Sequence, residues 1–246
     1  IAVARVMFRR RERIWAALVL PAVLVALVLT LSRNAWVGAC AGIGTLFLLR
    51  DLRSVFRMAA LLLVVMGLLI AFAPASVSDR FSSMLSLKDT YGDSATSTST
   101  VQSNRDRLAM IKSGFRIIKD YPLTGVGPDM VIQVYPGYLE PTAVSQRSSH
   151  LHNVPLQIAA ERGLPALGIW CWFVATLLID FFRLRRTSPL PSLAAGGIAC
   201  VVAMLAAGMF EYNFGDSEFL MLFLVIATLP YAAERVPAPV VERRAA

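Results

Sequence analysis

Long apolar runs dominate this chain, separated by short polar or basic connections. Six stretches contain no Asp, Glu, Lys, Arg or His: Ile14 to Leu31, Ala35 to Leu49, Met58 to Phe72, Leu164 to Ile179, Leu190 to Phe210 and Phe219 to Ala233. A helix crosses a hydrocarbon core with roughly 17 to 25 residues. Each run is long enough, or nearly so once flanking residues and snorkelling arginines are counted. The pattern predicts an all-α polytopic membrane protein with about six transmembrane helices. Residues 1–72 would hold three spans behind a cytoplasmic N-terminus, 73–163 one large outer loop, 164–233 three further spans, and 234–246 a cytoplasmic tail.

Within the large loop, Ser94 to Ser103 is a Ser/Thr run without apolar periodicity and reads as a loop. Leu108, Ile111, Phe115 and Ile118 then recur at helical spacing, predicting an amphipathic helix of the kind that lies at a membrane surface. At about 100° per residue, Arg105, Lys112, Arg116 and Lys119 fall on one flank of that stripe and Arg107 on the other. Arg116 and Lys119 therefore read as a solvated flank whose loss should be mild. Tyr121-Pro122 ends the helix, and Gly125-Val126-Gly127-Pro128 is a turn. The turn is not a dinucleotide fingerprint: the third glycine position falls on Met130, and no strand precedes it.

Composition sharpens this picture. Hydrophobic residues make up 57% of the chain and charged residues 16%, with a mean hydropathy of +0.62, which excludes a water-soluble globule and a disordered chain. The net charge is +8 and the pI about 9.9. Basic residues gather in alternate connections: Arg9 to Arg13, then Arg50, Arg53 and Arg57, then Arg183, Arg185 and Arg186, then the tail. Such loops stay cytoplasmic. The inside connections carry 14 Lys+Arg against 5 Asp+Glu, and the outside ones 10 against 11. The basic balance thus records membrane orientation and calls for no nucleic-acid partner. Cys40, Cys171 and Cys200 each sit in an apolar run, so neither a disulfide framework nor a Cys-based zinc site is expected. The chain begins at Ile1, which suggests a fragment or processed product, and the first apolar run lacks a cleavage site for a signal peptide.

The chemistry is gathered outside the membrane. His150 and His152, the two histidines, precede the fourth span. Imidazole suits a general base near neutral pH, although a helix-capping or headgroup-facing loop is the simpler alternative. With Glu140 or Glu161 the pair could hold a metal, but no dense ligand cluster is visible and no metal or other cofactor is expected. Arg33 closes the outer end of the first span, where it could be a snorkelling anchor beside Trp36, and Arg107 could be the solvated edge of a surface helix. Together, two outer arginines, a histidine and a membrane suit an anionic lipid headgroup.

Several motifs occur in a recognisable order: Ser32-Arg33-x-x-Trp36 at a span end, Arg107 ahead of Tyr121-Pro122-Leu123-Thr124-Gly125-Val126-Gly127, and His150-Leu151-His152-Asn153 leading to Glu161-Arg162-Gly163. With the closing Phe210-Glu211-Tyr212-Asn213-Phe214-Gly215-Asp216-Ser217-Glu218, the chain resembles the O-antigen ligase and polymerase superfamily. Members usually have about twice as many spans, so the resemblance implies a C-terminal half. The family's ligase motif expects Gly, Thr or Tyr at the position of Leu167, and Gly168 stands one step late. Ligase, repeat-unit polymerase and protein glycan ligase all stay open. The resemblance implies a metal-independent, inverting glycosyl transfer at the periplasmic face of the bacterial inner membrane. The donor would be a glycan on undecaprenyl diphosphate, and the acceptor lipid A-core or a growing polysaccharide. In that reading Arg33 and Arg107 bind the diphosphate, His152 is the base, and His150 and Asn153 orient the hydroxyl or the imidazole. A transporter of polysaccharide or small solute is the rival class, weakened because the six spans carry no ionisable residue at depth. A non-catalytic scaffold is a third.

Overall fold

The computed structural model describes residues 1–8, 13–29, 32–51, 53, 99–141 and 143–235. Among these residues there is no strand. The helices are α1 (Ala2–Phe8), α2 (Arg13–Leu29), α3 (Arg33–Arg50), α4 (Ser99–Asp120), α5 (Val131–Val134), α6 (Val154–Thr187), α7 (Pro191–Gly208) and α8 (Ser217–Glu234), with 3-10 turns at Tyr135–Tyr138 and Asn213–Gly215. α6, α7 and α8 are each long and apolar enough to cross a membrane. The protein is an all-α membrane protein. α2 and α3 cover the first two expected spans, whereas the third, Met58 to Phe72, lies outside the described residues. The chain forms two compact units. One holds the described parts of Ile1–Asp51, Cys171–Ala207 and Asn213–Ala246, the other those of Leu52–Trp170 and Gly208–Tyr212.

In the first unit, small residues let helices approach closely. A Cβ on Gly38 of α3 would lie 3.1 Å from the Ala203 carbonyl oxygen of α7, and one on Gly42 would lie 3.0 Å from that of Ala199. Spacing of small residues by four is how membrane helices bring their backbones together, since lipid supplies no hydrophobic drive between them. At one end of α3, Arg185 of α6 donates to the Leu49 carbonyl at 3.2 Å, giving an otherwise orphaned helix terminus a cationic partner. The basic ends of α3 and α6 therefore lie side by side. Tyr231 donates to Asp180 at 3.0 Å, and its ring meets that of buried Phe181 at a tilt, 5.6 Å between centroids, tying α8 to α6.

The second unit is a folded loop around one core: Met110, Ile117, Val131, Tyr135, Leu151, Leu156 and Ala160. α4 begins at Ser99, inside the run that reads as a loop in the sequence; Ser and Thr are favoured where a helix starts. Its buried face is only in part the expected stripe: Ile111 and Ile118 pack against this core, but Leu108 and Phe115 do not join it. Met110, Ser113, Gly114 and Ile117 are buried, whereas Leu108 is 39% and Phe115 62% exposed. The small Gly114 decides this, because a Cβ there would meet Leu156 at 2.7 Å and Leu151 at 2.9 Å. Side chains pin the rest of the loop to the helix: Asp106 accepts from the Val144 and Ser145 backbones at 2.6 and 2.9 Å, and Ser113 donates to the Tyr138 carbonyl at 2.8 Å. Arg116 is more than a solvated flank, since it pairs with the buried carboxylate of Glu140, which Lys112 approaches at 3.9 Å.

Candidate functional site

The site is built on the N-terminal end of α6. Asn153 is the residue before the helix, and its Oδ1 accepts from the Leu156 backbone N–H at 2.9 Å, satisfying one of the orphan donors of the first turn. Its other side-chain atom donates to the Met209 carbonyl at 3.1 Å, so one buried amide fastens the histidine segment to the turn after α7. Beneath it, the Leu151 N–H donates to Gln157 at 2.7 Å, Gln157 donates to Glu161 at 2.8 Å, and Arg162 donates to Glu161 at 3.1 Å. Gln157 and Glu161 are each 1% exposed, and this chain of bonds satisfies both.

The Tyr121 to Gly127 motif and Gly163 belong to one close backbone crossing. Val126 and Gly127 donate to the carbonyls of Ala160 and Glu161 at 2.9 Å each, and Leu164 donates to that of Pro122 at 2.7 Å. Gly163 has φ 81° and kinks α6 there; a Cβ on it would lie 2.1 Å from the Leu123 carbonyl oxygen. Gly125 has φ 64°, with Glu161 backbone atoms where its Cβ would stand. These glycines serve helix-to-turn packing beneath the histidines.

Above this base the two histidines converge on Glu211. His152 Nδ1 is 2.8 Å, and His150 Nε2 3.1 Å, from the same Oε1. The Tyr212 N–H donates to that oxygen at 3.2 Å. Burial pushes the Glu211 carboxyl up, but the bonds from His150, His152 and the Tyr212 backbone outweigh it and hold the group well below the usual carboxylate range. An ionised carboxylate only accepts, so both ring nitrogens facing it carry protons. In neutral His152 the free lone pair is then on Nε2. His150 places Nδ1 2.8 Å from the Ser149 hydroxyl, which donates to it. The rings are 4.4 Å apart, and His152 is held at φ 50°, a left-handed conformation uncommon for a side-chain-bearing residue and frequent at functional sites. Both imidazoles remain about a third exposed, open to a ligand.

Glu211 replaces the carboxylates that the sequence offers as third ligand. Glu140 is bound to Arg116, and Glu161 to Gln157 and Arg162. Among the described residues, His150, His152 and Glu211 form the one group whose donor atoms, within 4.8 Å of one another, could hold a metal. Tyr212 extends the cluster: its ring lies 6.3 Å from that of His150, and burial pushes its hydroxyl's pKa up against the opposing pull of the Arg162 guanidinium. Arg107 is half-buried on α4, in the same helical row as Ile111, Gly114 and Ile118, which faces the histidine segment through Gly114. Arg33 opens α3 in the first unit. Glu211, Tyr212 and Arg162 are absent from the sequence-derived site. The available signal was an acid in a short turn between two apolar runs.

An all-helical membrane protein that presents a hydrogen-bonded His–Glu–His cluster is the class that fold and site define. A family model described as O-antigen ligase matches residues 16–171, and the chain belongs to that family. No curated protein matches the chain.

Proposed function

We propose that the protein is a membrane glycosyltransferase that moves a glycan from undecaprenyl diphosphate to an acceptor hydroxyl, on lipid A-core or a growing polysaccharide, at the periplasmic face of the inner membrane. The observation that carries this reading is the 2.8 Å bond from His152 Nδ1 to Glu211, which leaves Nε2 as a base at the open side of the cluster. Nε2 takes the acceptor proton as the hydroxyl oxygen attacks the anomeric carbon. The bond from that carbon to the diphosphate breaks on the opposite face, inverting configuration. Glu211 then faces an imidazolium and stabilises it, the role of the carboxylate in a Ser-His-Asp triad. The leaving diphosphate departs with its electron pair, so it needs cations more than a proton. Arg33 and Arg107 supply them, and no metal takes part.

Asn153, with both amide atoms engaged, acts by positioning the segment, and His150 holds the far side of Glu211. The test is transfer by the purified, reconstituted chain from a polyprenyl-diphosphate glycan. His152→Ala should lower the rate on the order of 100- to 10,000-fold with insertion intact. Near-native transfer by that variant removes the base assignment.

A further inference from the structure

α4 carries two faces that could bury apolar surface, and the loop core uses one of them. Met110, Ser113 and Ile117 are 5%, 0% and 0% exposed and form the face that packs on the loop. About half a helical turn away, Leu108, Lys112, Phe115 and Lys119 follow one another at i, i+4, i+7 and i+11, a single row along the axis. Phe115 is 62% exposed and Leu108 39%, and both lysines are exposed. The acids of the described helix face elsewhere: Asp106 accepts from Val144 and Ser145, and Asp120 from the Tyr138 hydroxyl at 2.8 Å. The open row is therefore apolar and cationic together.

We propose that this row docks on the headgroup layer of a bilayer containing anionic phospholipid, with Phe115 and Leu108 at the acyl boundary and Lys112 and Lys119 on lipid phosphates. Charge and shape choose this occupant. A row alternating an apolar and a cationic side chain along one helix matches a surface whose phosphates lie above hydrocarbon. A bilayer is also within reach of the loop, since α6 runs on from its kink at Gly163 into a candidate span. Arg116, held by Glu140, lies outside the row, and Lys112, 3.9 Å from the same carboxylate, is still 53% exposed. Docking would fix the depth at which the histidine segment, packed on the other face of the helix, stands above the membrane.

The experiment uses the full chain with Phe115→Trp, reconstituted in phosphatidylcholine with and without phosphatidylglycerol; the emission of the native chain is subtracted. Acyl-brominated phosphatidylcholine, present in both bilayers, should quench the added emission more strongly where phosphatidylglycerol is included, and acrylamide should then reach it poorly. Lys119→Glu in the same background should weaken insertion roughly fivefold or more, and Lys119→Arg should restore it. A thermal melt matching the Phe115→Trp chain certifies each fold. Emission quenched by acrylamide and indifferent to bromolipid overturns the proposal, because the row then faces water. Equal bromolipid quenching in both bilayers, unchanged by Lys119→Glu, overturns the anionic recognition.

Discussion

Asn153 and Met209, 56 residues apart, meet through a 3.1 Å bond from the asparagine amide to the methionine carbonyl. The same side chain caps α6 through Leu156. Asn153→Asp keeps the cap and loses the donor, whereas Asn153→Ala loses both. The aspartate should therefore melt between the native chain and the alanine, which should cost about 1 to 2 kcal/mol more than the aspartate. Thermal melts of the reconstituted chain measure the order. Transfer should fall in both variants, because Glu211 follows Met209 by two residues.

Gly163 is predicted to tolerate no side chain. Alanine there combines a φ of 81° with a Cβ 2.1 Å from a backbone oxygen, and backbone cannot rotate away as a side chain can. Gly163→Ala should cost more than about 2 kcal/mol and open the Tyr121 to Gly127 crossing. Limited proteolysis in the loop reads this directly, with faster cleavage than in Gly168→Ala, whose Cβ meets nothing within 4 Å.

The pairing of Arg116 with Glu140 reverses the mild effect expected from the sequence. Arg116→Ala leaves a buried carboxylate with Lys112 at 3.9 Å as its remaining described ion-pair partner. Since Arg116 is itself half exposed, the loss should be about 1 to 3 kcal/mol, less than for a fully buried pair. The double change Arg116→Met, Glu140→Leu should recover much of it in a melt. Donor affinity should not respond.

Arg33 and Arg107 should respond in the opposite sense. If they hold a desolvated diphosphate, each change to Ala should raise the donor KM or lower kcat/KM by about 2 to 5 kcal/mol, roughly 30-fold or more, with an unchanged melt. Chelation of metals with EDTA should leave transfer at its native rate, and a loss restored by a divalent ion would place a metal between His150, His152 and Glu211.

Much of the fold was legible because apolar length is a strong signal: α2, α3, α6, α7 and α8 cover five of the six expected runs. The face of α4 was legible only in part: Ile111 and Ile118 do pack on the core, but burial at its centre was decided by a partner. Gly114 and Ser113 are buried because Leu151, Leu156 and the Tyr138 carbonyl press against them, and neither looks like a core residue in isolation. The histidines were legible as a pair. Glu211 was not, since 59 positions and two apolar helices separate it from His152 in the chain, and the nearer acids Glu140 and Glu161 drew attention that their own partners had already claimed.

Glu211 gives the account its sharpest edge. Its carboxyl is held below the usual range, so its contribution to the folded loop is present above the unfolded value near 4.3 and is lost as pH falls through the lowered folded value. The loop should keep this contribution from pH 7 down to about 5 and lose it only in stronger acid. The decisive measurement is the single-turnover transfer rate of Glu211→Gln at saturating donor and acceptor near neutral pH. An amide can donate to His152 Nδ1 and favour the wrong tautomer, so the rate should drop about 100-fold or more with donor KM little changed. A native rate in a folded Glu211→Gln chain would contradict the assignment of His152 as a base oriented by Glu211.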